Sequence, residues 1–214
     1  MRILIMPATA GGDFHPTVAT ALELVARGHD VLVYTEHGGV KSLRQTDLLT
    51  RTAPRELDFR RRLISQHDPD RRAGGKDGPA ALAEALDDYS EDQARELATD
   101  VVADFRPELF VGSLTASAIA QKLAARTGLP TCVVNSDFYG GPNPPRPLEQ
   151  DFDDRVIPEF AYMNAAMQTA DLVLHAVDQH FDYDFDGLPP HNHYVGPLLW
   201  ERPGPRPGYL DEPG

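Results

Sequence analysis

The first 35 residues constrain the fold more than any other stretch. "RILIM" (2–6) is a continuous apolar run, which suits a strand buried on both faces. A glycine pair, an acid and a histidine follow, then Pro16, placed where a helix takes its first residue. Val18, Leu22, Leu24 and Val25 recur at helical spacing, and "RGH" (27–29) closes that helix with Gly28 as its C-terminal cap. "DVLVYT" (30–35) reads as the second strand. A βαβ unit of this kind crosses over right-handedly and commits the chain to parallel strand pairing.

The remaining sequence continues the alternation. A short helix is expected over 37–46, a weak third strand near 48–53, and charge at helical spacing over 54–66. "HDPDRRAGGKDGP" (67–79) lacks apolar periodicity and reads as a mobile surface loop. A long amphipathic helix is predicted for 80–105, a strand for 107–113, a helix for 115–128 closed by Gly128, and a strand for 130–136. The Pro/Gly-rich segment 138–151 reads as a loop. A helix near 155–169, a strand at 171–176 and a last strand within 193–200 complete the pattern. Alternation of this type predicts a Rossmann-like, mostly parallel sheet with helices on both faces. Residues 1–200 are assigned to that domain, and the Pro/Gly-rich 201–214 to the start of a linker.

Composition narrows the function. Lys and Arg total 20 against 33 Asp and Glu, a net charge of −13, so a phosphate backbone would be repelled and nucleic acid is not expected as a partner. The one cysteine, Cys132, lies in the apolar run "TCVV" and reads as a core residue. A lone cysteine also fits a reducing compartment. No apolar run approaches the roughly 18 residues that would suggest a membrane span, so a cytoplasmic location is expected.

The chemistry concentrates in "GGDFHP" (11–16), at the carboxyl end of the first strand. Parallel α/β sheets place ligands there. A dinucleotide site would need G-x-G-x-x-G, but the turn offers only Gly11 and Gly12, and Asp13 would repel a pyrophosphate. Glu36, at the end of the second strand, does mimic an acid that holds a ribose. A nicotinamide-dependent enzyme is therefore disfavoured but specified. Metal binding would need more ligands than Asp13 and His15 provide, and His191 with His193 only repeats their spacing. No metal is expected; His191 and His193 read as solvated, and His175 and His180 as core-edge or surface residues. Two readings of Asp13 stay open on spacing alone. It caps the helix as a favoured N-cap residue, or its carboxylate takes a proton from a bound hydroxyl.

Three stretches carry a family resemblance. "MRILIMPATAGGDFHPTVATALELVARGHDVLVYTEH" resembles the opening of the GT-B glycosyltransferases of family 1, which include natural-product, sterol and rhamnolipid enzymes. Their first loop has the form G-[HD]-x-x-P, here "GDFHP" (12–16). "FVGSLTASAIAQKLAARTGLPTCVVNS" resembles their fourth strand, next helix and fifth strand. "ADLVLHAVDQHFD" and "LPPHNHYVGPLLWE" resemble the end of their N-terminal domain, where "VGP" leads into the linker between domains.

The resemblance implies one half of a GT-B fold, the acceptor-binding one. It implies sugar transfer with inversion from a nucleotide diphosphate-sugar, a co-substrate rather than a cofactor, to a hydroxyl of a small apolar natural product. The family's general base falls on Asp13, with His15 as the rival. Most members have histidine there, held by an aspartate after the fourth strand. That position corresponds to about Gly112, so the dyad is absent. A carboxylate has no tautomer to fix and can act without such a partner. The acceptor pocket falls on Gly12, Phe14, the segment 54–79, Ser113 to Ser117 with Thr115, and 136–147 with Phe138 and Tyr139. Each aromatic could equally pack beneath its own loop. The C-terminal donor-binding domain, with its His/Gly/Ser-rich phosphate motif, is not seen, so transfer by this chain alone is not expected. The competing class is a stand-alone acceptor-binding or auxiliary module in which Asp13 only caps a helix.

Overall fold

Among the described residues, seven strands pair in the order β3-β2-β1-β4-β5-β6-β7, every neighbouring pair parallel. The strands are β1 (Arg2–Met6), β2 (Asp30–Thr35), β3 (Leu49–Thr52), β4 (Leu109–Ser113), β5 (Thr131–Asn135), β6 (Leu172–His175) and β7 (Asn192–Tyr194). The helices are α1 (Phe14–Ala26), α2 (His37–Leu43), α3 (Gly78–Glu96), α4 (Ser117–Thr127) and α5 (Ile157–Met167). The computed structural model describes residues 1–7, 12–59, 78–136, 157–182 and 188–200. Of the expected loop at 67–79, residues 67–77 lie outside the described residues, and Gly78 and Pro79 belong to the start of α3 instead. The expected loop at 138–151 and the 201–214 segment also lie outside the described residues.

Parallel strands need burial on both faces, and the central ones have it. β1, β2, β4 and β5 are buried throughout except for half-buried or exposed first residues in three of them. Successive side chains leave a strand on opposite faces. Leu4, Met6, Leu32, Tyr34, Phe110 and Val133 therefore meet α3, α4 and α5 on one side. Ile3, Ile5, Val31, Val33, Val111, Cys132 and Val134 meet α1 and α2 on the other. Leu198 and Trp200 also pack on this second layer.

α1 starts two residues earlier than Pro16 suggests. Pro16 is the third helical residue, still within the first turn, where an amide would have no partner in the helix. Gly28 closes it at φ +80°, its N–H donating to the Val25 carbonyl at 2.9 Å while His29 N–H reaches Leu24 O at 3.1 Å. The predicted long helix is not uniformly α: after α3 the chain passes through a π-helical stretch, Leu97–Val102, before Ala103–Phe105. Tyr89, Gln93, Leu97 and Val101 are all buried at a spacing of four. A strict spacing of four drifts around a helix of 3.6 residues per turn, and the wider π turn brings Val101 back to the sheet. The last strand is three residues, Asn192–Tyr194, not a run within 193–200; beyond it the chain continues without regular structure to Trp200.

Candidate functional site

β1 lies between β2 and β4, so the chain leaves it in opposite directions on its two sides, at the point where such sheets bind ligands. Asp13, which leads into α1, meets the ends of β4 and β5 at this point. Asp13 is 6% exposed and stands at the N-cap position of α1. Its backbone is itself helical (φ −66°, ψ −28°) and its side chain makes no bond to the helix's own amides. The helix start is held instead by Thr17 Oγ1, which donates to the Asp13 carbonyl at 2.8 Å. The carboxylate points across the carboxyl ends of the neighbouring strands. Oδ2 accepts the Thr115 N–H at 3.1 Å, and Oδ1 accepts the Ser136 hydroxyl. One donor follows β4 and the other follows β5.

The remaining expected residues divide. Gly12 and Thr115 are exposed beside Asp13. Ser113 is fully buried, its hydroxyl 3.0 Å from Thr115 Oγ1, so it stands behind Thr115. Phe14 is buried in the core layer of α1, with Trp200 edge-on at 6.0 Å; among the described residues, its contacts are those of packing. His15 is exposed, and its ring stands against Phe14 at 6.0 Å and Trp200 at 5.5 Å. Phe138 and Tyr139 lie outside the described residues. Gly112 pairs with Met6 and Val133 inside the sheet. A Cβ there would sit 3.1 Å from Phe110 Cε1 and 3.2 Å from Ala116 Cβ. A larger side chain at 112 would press on both neighbours.

Two residues that matter to this geometry were not singled out from the sequence. Ser136 was included only as the last residue of the expected strand 130–136 and the first of the segment 136–147, although a hydroxyl directly after the apolar run "TCVVN" marks a strand's carboxyl end. Trp200 was assigned to a strand, and nothing local in sequence indicates that it returns to α1.

Glu36 is an internal residue. It is buried, and Oε1 accepts the Phe59 N–H at 2.7 Å and the Tyr89 hydroxyl at 3.0 Å. Gln93 extends the cluster, donating to Leu57 O at 2.8 Å and to Tyr89 Oη at 3.1 Å. Burial, then the Glu36 charge, pushes the Tyr89 hydroxyl well above its ordinary range and keeps it a donor. The carboxylate that mimics a ribose holder is thus a brace between the ends of β2 and β3 and α3.

His175 is also internal. Its Nδ1 faces Asn135 Nδ2 at 3.1 Å and its Nε2 faces Asn192 Oδ1 at 2.9 Å. An amide nitrogen donates and an amide oxygen accepts, so the ring is neutral with its proton on Nε2. Burial holds its pKa below the ordinary histidine value, against the Asn192 bond and the Asp182 charge. His193 is exposed and His191 half-buried. Among the described residues no group of three or more His, Cys, Asp or Glu could hold a metal, and no helix is long and apolar enough to cross a membrane.

No protein-family model matches the sequence, and no curated protein matches it significantly. Solved structures do match. CalG4, the calicheamicin glycosyltransferase, is similar over 92% of this chain and 52% of its own, with a TM-score of 0.68 and 16% identity. The glycosyltransferase SnogD from Streptomyces nogalater is similar over 100% of this chain and 55% of its own, with a TM-score of 0.67 and 18% identity. The spinosyn rhamnosyltransferase SpnG, solved with thymidine diphosphate, gives 98% and 53%, a TM-score of 0.63 and 19% identity. The chain has the Rossmann-like fold of one half of the GT-B glycosyltransferases. It spans about half the length of each of these three structures.

Proposed function

We propose that this chain is the acceptor-binding half of an inverting glycosyltransferase, with Asp13 as its general base. The observation that carries the reading is the state of the Asp13 carboxylate. It is not spent on capping α1, and it is held at the β1–β4 switch point by donors from two other strand ends. Fold likeness to glycosyltransferases acting on natural products supports the class of reaction.

In the proposed step, the acceptor hydroxyl gives its proton to Asp13 as its oxygen attacks the anomeric carbon of a nucleotide diphosphate-sugar. A new carbon–oxygen bond forms on one face of the sugar. The bond to the diphosphate breaks on the other, and the nucleotide diphosphate leaves with that electron pair. The anomeric centre inverts. The donor nucleotide would be held chiefly by a second, donor-binding half, and the acceptor would be a small apolar natural product in cytoplasm. Gly12 and Thr115 would lie closest to the acceptor hydroxyl, and His15 and Trp200 beside it.

The test is Asp13→Asn in the protein joined to its donor-binding half. A positioned base is typically worth about 10²–10⁴ in rate, so turnover should fall by that order while the melting temperature stays near that of the parent. Near-normal turnover would remove Asp13 from the base role, and His15→Gln would then be the variant to measure.

A further inference from the structure

We infer that Ser136 is the positioning residue for Asp13, taking the place of the side-chain partner that glycine at position 112 does not supply. The inference rests on Asp13 being the base. A carboxylate has no tautomer to fix, but it still has two side-chain torsions, and a base must meet its proton within hydrogen-bond reach. Thr115 contributes only a backbone N–H, on Oδ2. A single contact leaves the carboxylate free to swing about that oxygen. The Ser136 hydroxyl on Oδ1 adds the second point and fixes both torsions, the χ1 rotamer as well as the plane of the carboxylate. Each oxygen takes one described donor, which leaves acceptor capacity on the carboxylate for a substrate proton.

The placement of Ser136 supports the role. It is half-buried, the first residue after β5, and β5 is the strand beside β4. The first loop passes directly against it: a Cβ at Gly12 would stand 3.9 Å from Ser136 Oγ. Thr115 would keep its amide whatever its side chain. Ser136 is therefore the donor to Asp13 that a point substitution can remove. The partner that the resemblance places after the fourth strand is here supplied from after the fifth, as a neutral hydroxyl rather than an acid. A neutral donor also avoids setting a second negative charge beside the base.

The test reads Asp13 directly, in the 214-residue chain and without any ligand. Three-bond couplings between the Asp13 α and β protons report whether its side chain holds one rotamer. The parent chain should show the couplings of one staggered rotamer. Ser136→Ala should move them toward rotamer-averaged values, and Ser136→Thr, which restores the hydroxyl, should return them to the parent's values. Should Ser136→Ala not fold, Ser136→Cys keeps the volume with a weak donor and must show the same averaging. Unchanged couplings in the folded variant would overturn the inference, whatever happens to its melting temperature. With the donor-binding half present, Ser136→Ala should lower kcat on the order of 10–100-fold, the cost of a misplaced reacting group, with the acceptor KM unchanged. If Asp13→Asn abolishes transfer while Ser136→Ala leaves kcat intact, the base reading stands and this inference falls. If Asp13→Asn transfers normally, the base reading itself falls, and the couplings still report on Ser136 separately.

Discussion

The Asp13 carboxylate accepts the backbone N–H of Thr115, 102 residues further along the chain, at 3.1 Å. This bond ties the first loop to the end of β4. Asp13→Ala removes the acceptor from both that N–H and the Ser136 hydroxyl. The expected loss is about 1–2 kcal/mol, the usual scale for stranding partly buried donors. Asp13→Asn keeps an acceptor oxygen and should lose less. Urea midpoints of the two variants, compared with the parent, check the order.

Gly112→Asp would restore the acid that the family resemblance places after the fourth strand. The sheet would have to give way for it. Its Cβ would crowd Phe110 and Ala116, and its carboxylate would enter a buried strand. The variant should lose at least about 2 kcal/mol, from overpacking and from burying a charge. A circular-dichroism melt checks this, and a variant as stable as the parent would show that the site accommodates a dyad.

Glu36→Leu should be among the more damaging substitutions outside the apolar core. It leaves the Phe59 N–H and the Tyr89 hydroxyl without the carboxylate that accepts both. One buried and one partly buried donor stranded together cost about 2–4 kcal/mol. Tyr89→Phe removes one donor and should cost about half as much. Urea unfolding of both variants gives the ratio.

The pH dependence of stability should carry a His175 component. Its folded pKa lies below the ordinary value, with burial as the main cause. Below the unfolded histidine value of about 6.5, the unfolded chain binds the proton more readily than the fold does. The His175 contribution is therefore complete above that pH and is lost as pH falls toward the lowered folded value. His175→Gln should show a flatter decline over this window. The difference between the two pH–stability curves isolates the residue from the many carboxylates that titrate lower.

Cys132 should resist thiol reagents until the protein unfolds. It is buried between the sheet and its second helical layer, and burial pushes its pKa up to about 12. The thiolate is the reacting form, so a disulfide reagent should label it at a rate that rises through the urea transition. Fast labelling of the folded chain would contradict this placement.

The sheet was legible in the sequence because its central strands are unbroken apolar runs, and α1 and α4 because Gly28 and Gly128 mark their ends. "RILIM", "DVLVYT" and "TCVVN" needed no tertiary information to be read as strands. The π turn was not legible: a spacing of four over Tyr89–Val101 looks like an ordinary amphipathic helix until the sheet fixes which face must stay buried. Asp13 stood out by type and position, yet capping and chemistry could not be separated. The difference lies in donors 102 and 123 residues away. Glu36 was legible as an acid at a strand end, but its partners come from Phe59 and Tyr89 across the fold. Long-range polar contacts of this kind leave no local period in sequence.

The strand order has a consequence in time. β1 is made first but sits inside the sheet, and its second neighbour comes late: Ile3 pairs with Leu109, 106 positions on. At about 5–20 residues per second on the ribosome, that neighbour follows roughly 5–20 s later. Through that interval, a strand with four of its five residues destined for burial can be flanked on one side only, by β2. The nascent chain thus carries an open, apolar edge through much of its own synthesis, and that interval is when a chaperone matters most to its yield.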